Sequence, residues 1–99
     1  MNIKINAVKF TADTKLEKFI ESKIKKLVQF YDDIIGVEVF LKLQNTQKLE
    51  NKMVEIRLEI PGNDMFAKKQ GKTFEEATDN TIDALKKQIA KHKEKIRGL

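Results

Sequence analysis

The hydrophobic residues of this chain follow two different repeats, and the order in which those repeats alternate is what limits the fold. Ile3, Ile5 and Ala7 alternate with Asn2, Lys4 and Asn6 in a stretch over residues 2–10, the period of a half-buried strand. From Thr14 the spacing changes to three and four, and Leu16, Phe19, Ile20, Ile24, Leu27, Val28 and Tyr31 make one helical stripe. Thr14 and Glu17 have the spacing of a capping box, which predicts a helix over about 14–31. Alternation returns after Gly36, with Val37, Val39, Leu41 and Leu43 on one face and Glu38, Phe40 and Lys42 on the other.

The polar run Gln44–Lys52 reads as a hairpin loop. Val54, Ile56, Leu58 and Ile60 then alternate in a third strand, which Pro61-Gly62-Asn63-Asp64 ends as a turn. Met65–Lys69 is a short fourth strand and Gly71 a break in the chain. Thr73 and Glu76 repeat the capping-box spacing, and Ala77, Thr81, Ile82, Leu85, Ile89, His92 and Ile96 carry a second helix ending near Gly98.

The order β-α-β-β-β-α predicts an α+β domain: a four-stranded mixed sheet with two long helices packed on one face. A helix between the first two strands favours a parallel crossover, and the short connections afterwards favour antiparallel hairpins. Each strand has one apolar face and each helix one apolar stripe, so the second face of the sheet is expected to meet solvent. At 99 residues, the chain is read as one domain over 1–99 with a single core.

Composition removes most chemistry. There are no cysteines, one histidine and one serine, so neither a thiolate nor a histidine-cluster metal site, nor a Ser-His triad with a choice of partners, can be assembled. An enzyme is not expected, and no cofactor or small-molecule substrate is implied. No run approaches the roughly 18 apolar residues of a membrane span or resembles a signal peptide, which suggests a cytoplasmic protein without membrane partners.

Twenty lysines and arginines stand against fifteen acids, a net charge of +5. Such an excess points to a polyanionic partner only where it is gathered on one surface. In the second helical stretch, residues 72–85 hold Lys72 against Glu75, Glu76, Asp79 and Asp83, net −3. Residues 86–97 hold Lys86, Lys87, Lys91, Lys93, Lys95 and Arg97 against Glu94, net +5. The helix dipole favours terminal charges of this sense by about 0.3–1 kcal/mol each, but the effect fades within one turn. It accounts for Glu75, Glu76 and Arg97, not for cations over three turns.

At about 100° per residue, Lys86, Lys93 and Arg97 border the apolar stripe, and Lys87, Lys91 and Lys95 cover the back. In the first helix, Lys15, Lys18, Lys25 and Lys26 cluster opposite the core and Lys23 flanks it. Packed side by side, the two helices would present one continuous basic surface.

Other candidates are weaker. The solvated sheet face mixes Glu38, Lys42, Glu55, Arg57 and Glu59 with Phe40 and Phe66, and it lacks the motif of a base-stacking RRM sheet. No Gly-x-x-Gly occurs, which excludes a KH domain. Asp79 and Asp83 share a helical face without further ligands nearby and read as solvated acids. Asp32 and Asp33 read as the end of the first helix. His92 falls on the apolar stripe, where it either packs or reaches an RNA.

The segments Lys23-Ile-Lys-Lys-Leu-Val-Gln-Phe-Tyr-Asp32, Val37-Glu-Val-Phe-Leu-Lys42, Ile60-Pro-Gly62 and Ile82-Asp-Ala-Leu-Lys-Lys-Gln-Ile-Ala-Lys-His-Lys-Glu-Lys-Ile96 resemble the ribosome hibernation-promoting factors, also called ribosome-associated inhibitors or the sigma-54 modulation family. The resemblance spans essentially the whole chain, and its most specific part is Lys-Gln-Ile-x-Lys-His-Lys-x-Lys. It implies a bacterial stationary-phase protein that binds the small ribosomal subunit between head and body, where mRNA and tRNA would lie. Bound there, it would block translation and preserve idle ribosomes, with other hibernation factors as possible partners.

By matching positions, the family's rRNA-binding residues fall on Lys23, Lys26, Lys87, Lys91, His92, Lys93 and Lys95, to which the helical arc adds Lys86. Three departures stand out: Ala84 where many members have lysine, Gln70-Gly71-Lys72-Thr73-Phe74-Glu75 at the entry to the second helix, and Ala7 in place of a frequent glycine. The chain reads as a short form, without the further domain by which long forms pair ribosomes. Two alternatives stay open: a structured-RNA-binding module of the double-stranded-RNA-binding type, and a protein-interaction module using the open sheet face.

Overall fold

The computed structural model describes residues 2–44 and 51–96. Its elements are β1 (Asn2–Ala7), α1 (Thr14–Phe30), β2 (Gly36–Leu43), β3 (Lys52–Glu59), β4 (Met65–Gly71) and α2 (Phe74–Ile96). The strands form one sheet in the order β1-β2-β3-β4, with β1 parallel to β2 and the other neighbours antiparallel. This is the expected four-stranded mixed sheet, with α1 as the crossover. Most of the hairpin loop, residues 45–50, and the expected helix end near Gly98 lie outside the described residues.

The register follows from the alternation. Ile5 pairs with Val39, Val39 with Ile56, and Ile56 with Ala67, so one apolar row crosses the sheet beneath the helices. Ile20, Ile24 and Leu27 of α1 and Leu85 and Ile89 of α2 close over it, all fully buried. Burial on this scale contributes about 1.5–3 kcal/mol per large aliphatic side chain relative to exposure. The opposite sheet face carries Lys42, Arg57, Glu59, Phe66 and Lys68, all exposed.

Polar side chains fasten α2 to the sheet. The buried hydroxyl of Thr81 lies 3.2 Å from the Val54 carbonyl of β3 and 2.7 Å from the Ala77 carbonyl one turn back. Asn80 donates to the Gln70 carbonyl and Gln88 to the Phe66 carbonyl. These two amides occupy acceptors on the outer edge of β4, which would otherwise be open to another strand.

Several local expectations are corrected. β1 ends at Ala7 rather than residue 10, because Lys9 adopts a left-handed φ of 64° that turns the chain away. Asp13, not Thr14, caps α1: its carboxylate accepts from the Leu16 amide at 2.7 Å, which places Thr14 inside the helix. Leu43, which the alternation places in the apolar row, is 47% exposed, since β1 stops opposite Leu41 and leaves the end of β2 uncovered.

Gly71 is not a break but the buried last residue of β4. A Cβ there would sit 2.8 Å from the Ala77 backbone nitrogen, so the absence of a side chain lets α2 begin against the strand. At the start of α2 the Thr73 hydroxyl accepts from the Glu76 amide at 3.0 Å. The turn after β3 has Gly62 at φ 89° and Asn63 donating to the Ile60 carbonyl, as a type II turn requires.

Candidate nucleic-acid interface

The two helices run in the same sense. Phe10, just before α1, stacks on Phe74 at the start of α2 with ring centroids 5.1 Å apart. At the far end, Lys93 of α2 donates to the Phe30 carbonyl of α1 at 2.9 Å. Their basic halves therefore lie at the same end of the molecule.

Lys15, Lys18, Lys25 and Lys26 leave α1 on the arc opposite Leu16, Ile20, Ile24 and Leu27, and all four are exposed. On α2, Lys86, Lys87 and Lys91 are exposed as well. Lys86 and Lys87 are one residue apart and so diverge by about 100°. Lys86 shares its side with Asp79 and Lys93, towards α1, whereas Lys87 lines the groove beside β4 with Asn80 and Ala84.

The remaining residues expected at the interface have intramolecular partners. Lys23 is half-buried between the helices, 3.2 Å from the Asp79 carboxylate and over the Phe19 ring. Lys93 is half-buried with its ammonium 4.4 Å from the Phe30 ring centroid and 5.5 Å from that of Tyr31. α1 has no basic residue in its own last turn, so Lys93 supplies from the neighbouring helix the cation that the helix C-terminus favours.

His92 packs edge-on to Tyr31, ring centroids 5.8 Å apart. Tyr31 is itself buried, its hydroxyl 3.2 Å from the Asp33 carboxylate. Burial, then the bond to Asp33 and the nearby negative charges, push the Tyr31 hydroxyl above its ordinary range. The side chain of Lys95 lies outside the described part of α2, as does Arg97.

The structure thus leaves Lys26, Lys86, Lys87 and Lys91 exposed on the two helices, whereas Lys23, His92 and Lys93 are engaged at the seam between them. It adds partners that helical spacing does not reveal: Phe30 as the platform for Lys93, and Lys69 lining a groove with Lys87. The strand alternation held a signal for the second, because Lys69 shares its face with Met65 and Ala67. Among the described residues, no group of three or more metal-ligating side chains is gathered, and no helix is long and apolar enough to cross a membrane.

The family model described as sigma 54 modulation protein / S30EA ribosomal protein matches residues 3–97. The chain belongs to this family. Curated relatives of the sigma 54 modulation family include the ribosome hibernation promoting factor of Escherichia coli, 32% identical over 97 residues, covering 98% of this chain and 96% of the relative. The protein of the same name from Pseudomonas putida is 30% identical over 99 residues, covering 100% and 93%.

Two solved structures share the fold. A ribosomal subunit interface protein from Coxiella burnetii superposes with a TM-score of 0.83 at 20% identity, over 94% of this chain and 98% of that one. The N-terminal domain of Thermus thermophilus Protein Y gives 0.78 at 22% identity, over 93% and 99%. The β-α-β-β-β-α arrangement of the sigma 54 modulation family is therefore the arrangement found here.

Proposed function

We propose that this protein is a ribosome hibernation factor that binds the small ribosomal subunit in the mRNA/tRNA channel through its basic helix surface, inhibiting translation and preserving inactive ribosomes. Residues 1–99 form the ribosome-binding domain in this reading, and the work is done in the cytoplasm. Membership of the sigma 54 modulation family and relatives named for ribosome hibernation support it.

The observation that carries it is the arrangement of Lys26, Lys86, Lys87 and Lys91: exposed cations on two helices whose basic ends are locked together by Lys93. Fixed lysines suit a folded RNA, whose helical regions are recognised by shape and backbone more than by base edges. Affinity then comes from counterion release and specificity from fitting a cleft, with log K falling by roughly 0.7–0.9 per phosphate neutralised for each tenfold rise in salt. The acidic start of α2, with Glu75, Glu76 and Asp79, is unlike the lysine-rich helix start of double-stranded-RNA-binding modules.

Co-sedimentation with purified small subunits over a salt series tests the proposal, together with a footprint on the subunit's rRNA. The expected result is binding that weakens steeply with salt and protects nucleotides lining the channel. Salt-insensitive binding, or equal affinity for free duplex RNA, would overturn it.

A further inference from the structure

Beside the helix surface just described, a groove of about 390 Å³ runs between the outer flank of α2 and the end of β4, lined by Lys69, Asn80, Asp83, Ala84 and Lys87. Its two cations come from different elements. Lys69 follows Met65 and Ala67 at two-residue steps and pairs in register with core-facing Val54, which places it on the helix side of the sheet. Lys87 faces it from α2, and half-buried Ala84 between them leaves the groove open.

Asp83 also lines this groove, yet neither it nor either lysine forms an ion pair with any described residue. Asn80 is already engaged by the Gln70 carbonyl. The hydrogen bonds of Asn80 and Gln88 to β4 hold the two walls of the groove together, so both lysines are rooted at fixed backbone positions along it. Two exposed ammonium groups facing one groove, with a small residue between them, suit the sugar-phosphate backbone of an RNA strand lying along it.

We infer that the polyanion-binding surface continues from the back of α2 across this groove onto β4, with Lys69 and Lys87 clasping a backbone phosphate of the bound RNA. The inference rests on the proposed ribosome-binding reading and extends it to a strand from which the lysine pattern of the helices gave no contribution. Lys68, its neighbour in sequence, lies opposite Glu55 on the open sheet face and takes no part. It supplies an internal control of the same charge and nearly the same position along the chain.

The full chain, Lys69→Ala, the length-preserving Lys69→Gln, and Lys68→Ala are compared by co-sedimentation with purified small subunits over a salt series. Both Lys69 variants are expected to bind roughly three- to tenfold more weakly and to lower the salt slope by about 0.7–0.9, one phosphate contact, while Lys68→Ala keeps the parent slope. Lys69 variants that match the parent, while the parent itself binds in a salt-dependent way, overturn the groove and leave the proposed function standing. An equal loss in Lys68→Ala also overturns it, because the effect would then be net charge rather than a local contact. A parent that fails to bind small subunits overturns both readings.

Discussion

The first half of α2 and its second half are one continuous helix, but they spend their polar residues differently. Between Phe74 and Leu85, four polar side chains are engaged within the molecule: Thr78 and Thr81 are fully buried, Thr81 reaches β3, Asn80 reaches β4, and Asp79 meets Lys23 of α1. Beyond Leu85 the charges turn outward, and Lys86, Lys87 and Lys91 are exposed. The docked half determines where the helix lies, and the free half presents cations from a fixed position. Three residues of this half are exceptions: Gln88 bonds to β4, and Lys93 and His92 tie the helix end back to α1.

Reversing charge in the free half is the strongest way to break this division. Lys87→Glu combined with Lys91→Glu is expected to weaken small-subunit binding by roughly a hundredfold, about 2.7 kcal/mol. Its thermal midpoint should stay within about 4 °C of the parent, because exposed substitutions rarely move stability by more than about 0.5 kcal/mol each. Binding and melting measured on the same preparation check both halves of the statement. Unchanged binding would remove the free half from the interface.

The docked half should give the converse result. Gly71→Ala puts a methyl 2.8 Å from the Ala77 backbone nitrogen at the start of α2, and since that contact is with backbone, the strand or the helix has to move. The expected cost is about 2 kcal/mol, read as a lower midpoint in urea or heat. Lysine-driven binding should be retained at temperatures where the variant is folded. A variant as stable as the parent would show that this close approach is not a constraint.

The unequal legibility of the two halves has a physical cause. Apolar period reports burial against a layer, so Ile20, Ile24, Leu85 and the strand rows of Val39 and Ile56 announced the sheet, the helices and the order of both. Period cannot choose between adjacent capping residues, and Asp13 displaced Thr14 because its carboxylate reaches the Leu16 amide. In the same way, the angular position of a lysine says that it leaves the core but not what it meets. Lys23 finds Asp79, and Lys93 finds a carbonyl 63 residues away; only the packing of one helix on the other reveals such pairs. The short Met65–Lys69 pattern hid Gly71 within the strand for a related reason, since a glycine chosen for close approach looks in sequence like one chosen for a turn.

Lys93 sharpens the comparison, because it belongs to the basic half by position and to the docked set by contact. Lys93→Met keeps much of the aliphatic stem and removes the ammonium from the Phe30 carbonyl and the two aromatic faces. Loss of the helix-end charge and the cation–π contact predicts a destabilisation of about 1 kcal/mol. The fall in small-subunit affinity should be smaller than for Lys87→Glu with Lys91→Glu. Loss of affinity without loss of stability would return Lys93 to the RNA-contacting set.

The smallest effect concerns the same seam at high pH. Tyr31 is buried with its hydroxyl on Asp33, and its pKa is raised in the folded protein, first by burial and then by the negative charges beside it. The unfolded chain loses this proton near the ordinary value of about 10, while the folded chain still holds it. The unfolded state therefore binds fewer protons in that window, and stability is fully present below about pH 10 and lost as pH rises through the folded-state pKa. Tyr31→Phe removes both the titration and the hydrogen bond, so it should lie about 0.5–1 kcal/mol below the parent at neutral pH. Because the variant lacks this alkaline loss, the gap should narrow as urea midpoints of the two proteins are followed from pH 7 to 11. A gap that stays constant across that range would mean that the Tyr31 hydroxyl does not couple the seam to pH.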